Sequence, residues 1–411
     1  MPNYRRWNGG ATAVAQVKTI RFTTSAASDV VTVTMTAEDG STQAITHTVA
    51  DTNNNTTAAA VQAACDGSAL SLFNQVDFTV STDTVTVTAK VAGRPFYLAV
   101  TDDGSTAYTV ADPTANAGPN DWNTAANWSG SAVPIDDDLV NFTDGSFDVL
   151  YGLDQSAIEL RQLTVASGYR GNIGTSTAPL KIDTDPASGS GSESLELAGS
   201  GYYYNFEGIY PVVTVTKNNA TLKVKGTLSK VSLVGADVSG NITLDASGTV
   251  AAGCPITVSS VSPACSITIP ATATETGHIV QDSGSIALSA SAKANKSSLI
   301  LSGSGRFTTK DSGVMSGQQG SDIRVLGGLY AHESDADLGG SNPNMIIYGG
   351  RVDMTKARAS TGAEFLGMGD VQVYGGELDL SAAGTIVSVT SLKKYGGSVR
   401  QSSSSLSVSK L

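Results

Sequence analysis

The sequence predicts a mainly β protein in which a small α+β N-terminal domain is followed by a β-helix, or β-solenoid. The first observation is a repeat near the C-terminus, where Gly-Gly pairs recur with spacings of 22, 26 and 21 residues, at Gly327-Gly328, Gly349-Gly350, Gly375-Gly376 and Gly396-Gly397. A period of about 20–30 residues is typical of stacked coils. The second observation is that apolar and polar residues alternate after each pair, as in a strand with one buried face.

Composition is the third observation. The 411 residues include 44 glycines, whereas charged residues make up 15% and aromatic residues 6%. Such a chain favours short strands and tight turns over long helices, and its length allows two or three domains. The formal net charge of −12 argues against nucleic acid as a partner, because phosphates repel an acidic surface.

The alternation within the repeat predicts which side chains meet between coils. Val352, Leu378 and Val399 are expected to lie above one another inside the solenoid, joined by Tyr330, because neighbouring strands are about 4.8 Å apart. The glycines mark a bend at which a side chain would clash. A tyrosine precedes three of the four pairs, at Tyr348, Tyr374 and Tyr395, and Leu326 takes the remaining place.

The outward residues of the same strands predict charge pairs. Arg351 is expected one strand from Glu377, and Asp379 one strand from Arg400. The same register places Asp353 beside Asp379, which is an unfavourable contact between like charges. The flanking arginines or a bound cation would relieve it, and we favour the arginines because exposed ion pairs are common.

Residues 1–12 are predicted to be an extended N-terminal arm. One interpretation is a frayed terminus, and the other is a basic arm that docks on an acidic partner through Arg5, Arg6 and Trp7. No apolar segment follows the charged start, so no secretory signal is predicted. No apolar run reaches the roughly 18 residues of a membrane helix, so no membrane contact is expected.

Residues 13–111 are predicted to form a small α+β anchoring domain. Alternating segments predict three strands, followed by a short helix over Thr57–Cys65 with N-cap candidates from Asn53 onwards. Up to four further strands are predicted after the helix. Nothing in this domain resembles a catalytic site.

Residues 112–155 are predicted to be an aromatic junction that caps the solenoid. Trp122 and Trp128 lie among turn residues directly ahead of strands, and the open end of a solenoid has strand edges and apolar interior to cover. The alternative is a platform on which the two rings stack against sugars.

The junction also carries a resemblance to known proteins. The segments involved are Gly118–Trp122, Ala126–Gly130, Val133–Phe142 and Tyr151–Gln155, together with the opening Trp7–Ala11 and Val14–Val17. They resemble a run in phage and prophage virion structural proteins, where a small β-rich module leads into a β-helix. The resemblance covers about residues 1–185, although Asp137 stands where such runs commonly have glycine. It implies a virion protein assembled in the host cytoplasm, and similar runs also open bacterial surface solenoids.

Residues 156–411 are predicted to form the β-helix itself. Short strands separated by Gly, Asn or Ser clusters also suit a β-sandwich, and the Gly-Gly repeat favours the solenoid. An insertion rich in aromatic residues is expected to bulge outward and to contact another subunit. Its candidate contact residues are Tyr202, Tyr203, Tyr204 and Phe206.

The sequence offers few candidates for chemistry. Glu333, Asp335 and Asp337 alternate, so in a strand they would share one face and form a weak candidate Ca²⁺ site or a carboxylate pair for glycoside cleavage. The favoured interpretation is a solvated acidic loop. No catalytic motif is found, and no cofactor is expected.

Three cysteines leave at least one thiol unpaired. Cys254 and Cys265 are candidates for a bridge between neighbouring coils. The favoured alternative is three buried thiols, with Cys65 as the third.

These observations predict a non-enzymatic virion protein, most simply a capsid decoration or head-associated protein whose partners are other virion proteins. The resemblance implies a homotrimer along the helix axis. The first alternative is a tail fibre or tailspike that binds host polysaccharide, for which a groove lined with carboxylates and aromatic residues is expected; the sequence shows no convincing row of either. The second alternative, a bacterial surface adhesin, is disfavoured by the missing export signal.

Overall fold

The computed structural model describes residues 3–185, 193–202, 204–216, 218–235, 238–244, 249–250, 256–259, 261, 265–269, 279–288, 299–311, 322–334, 344–356, 365–381, 386–401 and 406–410. This part of the chain is mainly β and is dominated by two long parallel sheets, one of 14 strands and one of 12. Successive strands along the chain alternate between the sheets, with one strand in each sheet per repeat. The arrangement is consistent with the predicted β-helix, and we call the two sheets together the two-sheet stack.

The strands of the first sheet, in spatial order, are Tyr4–Arg6, Leu139–Gly145, Gln162–Tyr169, Ser194–Leu197, Val212–Val215, Lys230–Val234, Ile256–Ser259, Ile279–Gln281, Leu299–Leu301, Asp322–Val325, Asn344–Ile347, Phe365–Val373, Ile386–Lys394 and Leu406–Lys410. Those of the second sheet are Asp154–Glu159, Leu180–Asp183, Tyr204–Ile209, Asn218–Lys225, Val238–Leu244, Ser266–Ile269, Ser285–Leu288, Arg306–Asp311, Leu329–Ser334, Arg351–Asp353, Glu377–Asp379 and Ser398–Arg400. A short parallel pair joins Thr227–Leu228 to Thr249–Val250.

The predicted file of residues inside the stack is confirmed. Tyr330 pairs with Val352, Val352 with Leu378, and Leu378 with Val399 in successive strands of the second sheet. The first three side chains are fully buried, and Val399 is half-buried against the same core. Alternation in the sequence therefore defined both the register and the inward face of these strands.

The Gly-Gly bends have two physical causes. The second glycine of each pair has positive φ, for example +70° at Gly376, a conformation in which a Cβ is strained. A Cβ at Gly376 would also lie 2.5 Å from the carbonyl oxygen of Gly350 in the preceding coil. The bends thus stack backbone on backbone, with no room for a side chain between coils.

The segment between the first two strands of the first sheet forms a module with its own hydrophobic core. Its elements are the strands Val17–Thr24, Val30–Thr36, Thr42–Thr48, Val76–Ser81, Thr84–Ala89, Tyr97–Asp102 and Ala107–Thr114, the helix Asn54–Asp66 and the 3-10 turn Phe73–Gln75. They build a four-stranded and a three-stranded antiparallel sheet around the helix. The order of three strands, a helix and four strands is the one predicted, and the Asn53 side chain caps the helix by accepting the Asn55 N–H.

The beginning of the chain differs from its prediction. Tyr4–Arg6 is the outermost strand of the first sheet and pairs in parallel with Leu139–Gly145. The described part of residues 1–12 is therefore neither a frayed end nor a free arm. The reason is burial of the Trp7 ring, which anchors the strand to the end of the core. Two 3-10 turns, Ala125–Asn127 and Ser129–Ser131, complete the junction.

Candidate functional site

Four aromatic rings close the end of the stack. Trp7, Trp122, Trp128 and Phe142 are all buried, and the centroid of the Trp128 ring lies 5.0 Å from that of Trp7 and 4.6 Å from that of Trp122, both pairs edge to face. The indole N–H of Trp128 donates to the carbonyl oxygen of Trp122 at 2.7 Å. Because these rings are covered by protein, the interpretation of Trp122 and Trp128 as a sugar platform is wrong, and their contacts are those of a cap.

The two arginines of the first strand differ in their contacts and exposure. Arg5 donates at 3.0 Å to the buried carboxylate of Asp138, which also accepts hydrogen bonds from Asn3 and from the Ile135 N–H. Its guanidinium is thus used inside the molecule. Arg6 is exposed, and its Nε donates to the Asn8 side chain. Of the interface candidates Arg5, Arg6 and Trp7, only Arg6 lies fully on the surface.

The aromatic insertion is also largely internal. The side chains of Tyr204 and Phe206 are fully buried because they occupy inward positions of the strand Tyr204–Ile209. The prediction that they contact another subunit is therefore wrong. Tyr202 is 82% exposed, so it alone keeps that role as a prediction. Tyr203 lies outside the described residues.

The structure describes one residue of the predicted acidic cluster. Glu333 lies by its backbone in the strand Leu329–Ser334, beside the buried His332, whereas Asp335 and Asp337 fall outside the described residues. Within the described ranges, no group of three or more His, Cys, Asp or Glu side chains is arranged to hold a metal ion.

Two of the three cysteines are described, and both are buried free thiols. Burial raises the pKa of the Cys65 thiol to about 12 and that of Cys265 to about 11. Thiols with such pKa values are poor nucleophiles, because the thiolate is the reactive form. Cys254 lies outside the described residues.

An ion-pair network lies on the outer face of the second sheet. Arg351 is 3.1 Å from Asp353, 3.3 Å from Asp379 and 3.9 Å from Glu377, so one arginine relieves the two neighbouring aspartates, as predicted. Arg400 stands opposite Asp379 in register, but its Nε lies 3.1 Å from Glu377. The predicted placement of Asp379 one strand from Arg400 is confirmed. The ion pair of Arg400 is nevertheless with Glu377, because the Asp379 side chain is almost fully buried and already bonded to Ser381.

The carboxyl of Asp353 is held in its charged form within this network. Burial opposes its ionisation, but hydrogen bonds from Thr355 and the charge of Arg351 hold the pKa of this carboxyl below its ordinary value. The Thr355 hydroxyl donates to it at 2.6 Å. With its charges paired, this face has the character of a structural surface.

A row of stacked rings lies at the Gly-Gly bends, directly after three strands of the first sheet. We call these residues, Tyr348, Tyr374 and Tyr395, the tyrosine ladder. Ring centroids are 5.1 Å apart for the first pair and 4.6 Å for the second, with interplanar angles of 11° and 10°. The rings are 52%, 43% and 62% exposed, so the row is a surface feature. The Tyr374 hydroxyl donates to the Gln372 amide oxygen at 3.1 Å.

Sequence reasoning found the tyrosines but missed the ladder. The expectation that the chain has no convincing row of aromatic residues is wrong. The signal was the recurrence of tyrosine at one position of the repeat, because equal positions of successive coils must stack at the spacing of the strands.

A cleft separates the N-terminal module from the stack, and Glu38 reaches across it. Its carboxylate accepts hydrogen bonds from the Tyr97 hydroxyl at 2.9 Å and from the backbone N–H groups of Gly152 at 3.3 Å and Leu153 at 3.4 Å. Burial raises the pKa of Glu38, and the nearby carboxylate of Asp121 adds to that effect. One side chain therefore joins the two units through backbone groups at the start of the second sheet.

In comparisons of the chain with protein-family models, curated proteins and solved structures, none gave a match. Among the described residues, no helix is long and apolar enough to cross a membrane.

Proposed function

We propose that the protein is a non-enzymatic structural protein of a bacteriophage virion, most simply a capsid decoration or head-associated protein, and that its two-sheet stack is a β-solenoid. Fourteen strands at about 4.8 Å per step give a rod roughly 60 Å long. Other virion proteins are its partners, and the virion, assembled in the host cytoplasm, is its location. The resemblance of the junction supports the phage assignment.

The observation that carries this proposal is the double attachment of the N-terminal module. The chain enters the module from Tyr4–Arg6 and returns at Leu139–Gly145, and these two strands are hydrogen-bonded neighbours. Both ends of the module are therefore fixed to the same end of the rod, with the aromatic cap between them. Such a module serves as a base that holds the rod at a set angle, which suits a projection from a larger particle.

Counting copies tests the assignment. Purified virions would be digested, and this protein would be quantified against the major capsid protein by mass spectrometry with labelled peptide standards. A decoration protein is expected at a copy number comparable with the number of capsid positions. Absence from virions would overturn the proposal, and a few copies per particle would move the protein to the tail.

The tyrosine ladder favours a tail fibre or tailspike as the second candidate, because a row of aromatic residues was the feature expected of a polysaccharide-binding groove. Within the ladder, however, both faces of the Tyr374 ring are covered by its neighbours, and sugars stack on open faces. Binding of purified host polysaccharide to the full chain distinguishes this candidate from the first.

A further inference from the structure

The cleft between the N-terminal module and the stack contains a cavity of about 290 Å³. Its walls come from both units, because the segments around Glu38 and Arg94 belong to the module, whereas Tyr151 and Thr175 belong to the stack. Clefts between folded units are preferred places for ligand sites, whose volumes span roughly 300–1,000 Å³. The size of this cavity therefore suits a small ligand with a single ring.

Several polar groups of the cavity wall are not used by the fold. The side chains of Gln75, Arg94 and Tyr151 form no hydrogen bond or ion pair with another described residue. Gln75 and Tyr151 are half-buried and Arg94 is exposed, so a ligand can reach all three from solvent. Polar groups that have lost part of their hydration favour a ligand that restores their hydrogen bonds. The wall therefore offers both donors and acceptors to a bound molecule.

The rest of the cavity wall is largely apolar and aromatic. Met35 and Phe96 are buried, whereas Tyr97 is 41% exposed. The Tyr97 ring is held in place, because its hydroxyl donates to the Glu38 carboxylate at 2.9 Å. A ring that is fixed before binding loses little entropy when a ligand packs against it. The cavity thus combines an aromatic surface with unpaired polar groups, which is the usual composition of a small-molecule site.

The charges of the wall favour an uncharged ligand. The lining residues include one cation, Arg94, and two carboxylates, Glu38 and Asp39. A ligand carboxylate or phosphate would be attracted by the guanidinium but repelled by both carboxylates. An ammonium group would be repelled by Arg94, and it would find Glu38 already bonded to Tyr97 and to two backbone N–H groups. Hydroxyl groups both donate and accept, so a polyhydroxylated ring uses the guanidinium, the Asp39 carboxylate and the Gln75 amide together.

We propose that this cleft binds one unit of a neutral saccharide. Arg94 and Gln75 donate to the sugar hydroxyls, Asp39 accepts from them, and the apolar face of the sugar ring packs on Tyr97. The site uses none of the buried indoles of the cap. It follows from the cavity alone, so it does not depend on the virion assignment.

Titration of the full chain with methyl glycosides, followed by calorimetry and saturation-transfer NMR, tests the proposal. The probes are the methyl glycosides of glucose, galactose, mannose and N-acetylglucosamine, and at least one of them is expected to bind the wild type. Arg94→Gln is expected to weaken that binding at least about tenfold, because it removes hydrogen bonds from a charged donor. Arg21→Gln is the matched control, since Arg21 is an exposed arginine of the same module outside the cavity wall. Circular dichroism confirms that both variants keep the β fold.

The outcomes decide both the site and the class of ligand. Absence of binding for all four glycosides would overturn the proposal, and so would equal affinities of the Arg94→Gln and Arg21→Gln variants. Tighter binding of methyl glucuronide than of methyl glucoside would also overturn it, because the cleft would then select an anion. The copy number per virion is measured independently, so failure to bind sugars leaves the virion assignment as it stands.

A bulky substitution tests the location of the site from the side of the stack. Thr177 is exposed and lines the cavity from that side. Thr177→Trp is therefore expected to abolish sugar binding, because the indole would occupy the space of the ligand. Thr143→Trp is the matched control, since Thr143 is an exposed threonine of the strand Leu139–Gly145 and lies outside the cavity wall. Equal sugar affinity of the two tryptophan variants would contradict the assigned cleft.

Discussion

At the residue scale, the second glycine of each Gly-Gly bend packs directly against the backbone of the preceding coil. Gly376 combines φ of +70° with close backbone neighbours, because a Cβ there would lie 2.5 Å from the Gly350 carbonyl oxygen and 2.7 Å from the Gly349 carbonyl carbon. An alanine must therefore both strain its own backbone and push the preceding coil away. The strand neighbours on both sides would transmit that displacement. The repeat thus depends on glycine for contact as well as for conformation.

We expect Gly376→Ala to lower the free energy of unfolding by more than about 2 kcal/mol, because positive φ alone costs about 1–2 kcal/mol for a residue with a Cβ. Equilibrium unfolding in urea measures the loss. Gly145→Ala is the matched control, since Gly145 has φ of +96° with nothing within 4 Å of the position that a Cβ would take. Equal losses for the two variants would show that contact between coils contributes nothing.

Arg351 is the residue on which the outer charges of the second sheet depend. We expect Arg351→Met to cost about 1–2 kcal/mol in urea unfolding, because it leaves the partly buried carboxylates of Asp353 and Asp379 side by side without a cation. Arg400→Met should cost less than about 0.5 kcal/mol, since Arg400 is 66% exposed and contacts Glu377 alone among its described ion pairs. Equal costs would contradict the central position of Arg351.

At the scale of elements, the first strand decides whether the end of the stack is closed. Trp7 follows it directly and fills the space between Trp128 and Phe142. We expect Trp7→Ala to cost about 3–5 kcal/mol, as is typical when a buried aromatic ring is removed. Near-ultraviolet circular dichroism should lose the signal of the packed indoles, and Trp7→Phe should retain most of the stability. A Trp7→Ala chain with unchanged dichroism and stability would show that the cap closes without this ring.

Elements with a local signal could be predicted from the sequence, and elements made by distant pairing could not. The inner file through Val352 and Leu378 followed from alternation and from the period of the repeat. The pairing of Tyr4–Arg6 with Leu139–Gly145 did not, because no local pattern records a partner about 135 residues away. The burial of Tyr204 and Phe206 was not predicted for a related reason. A cluster of aromatic residues gives the same sequence pattern in an exposed bulge as in a strand whose aromatic side chains point into the core. The shared position of the three tyrosines was visible in the repeat, but their exposure depended on which face of the sheet turned outward.

At the scale of the whole molecule, Glu38 couples the module to the stack in a way that responds to pH. Burial raises the pKa of this carboxyl above its ordinary value of 4.5, so the folded protein binds the proton more tightly than the unfolded chain. The stability that this group contributes is therefore fully present below pH 4.5 and is lost as the pH rises through the raised folded pKa.

We expect the difference in melting temperature between the wild type and Glu38→Gln to move in favour of the wild type as the pH falls from neutral towards 4.5. Asp39→Asn is the matched control. Hydrogen bonds from Ser41 lower the pKa of Asp39 below its ordinary value of 3.8, so its contribution is lost only below that pH, and the Asp39→Asn difference should stay nearly constant between neutral pH and 4.5. Calorimetric scans across this pH range measure both differences in melting temperature. A Glu38→Gln difference that stays constant, or that moves in favour of the variant as the pH falls, would contradict the coupling.

The placement of Tyr4–Arg6 beside Leu139–Gly145 also governs the order of events during synthesis. Tyr4–Arg6 has to wait for its partner until residue 145 has been translated, a delay of roughly 7–30 s at 5–20 residues per second. The module in between has its own core and is free to fold during that interval. We therefore expect the two-sheet stack to form from its capped end as translation proceeds, because each new strand pairs with a strand that has already been made.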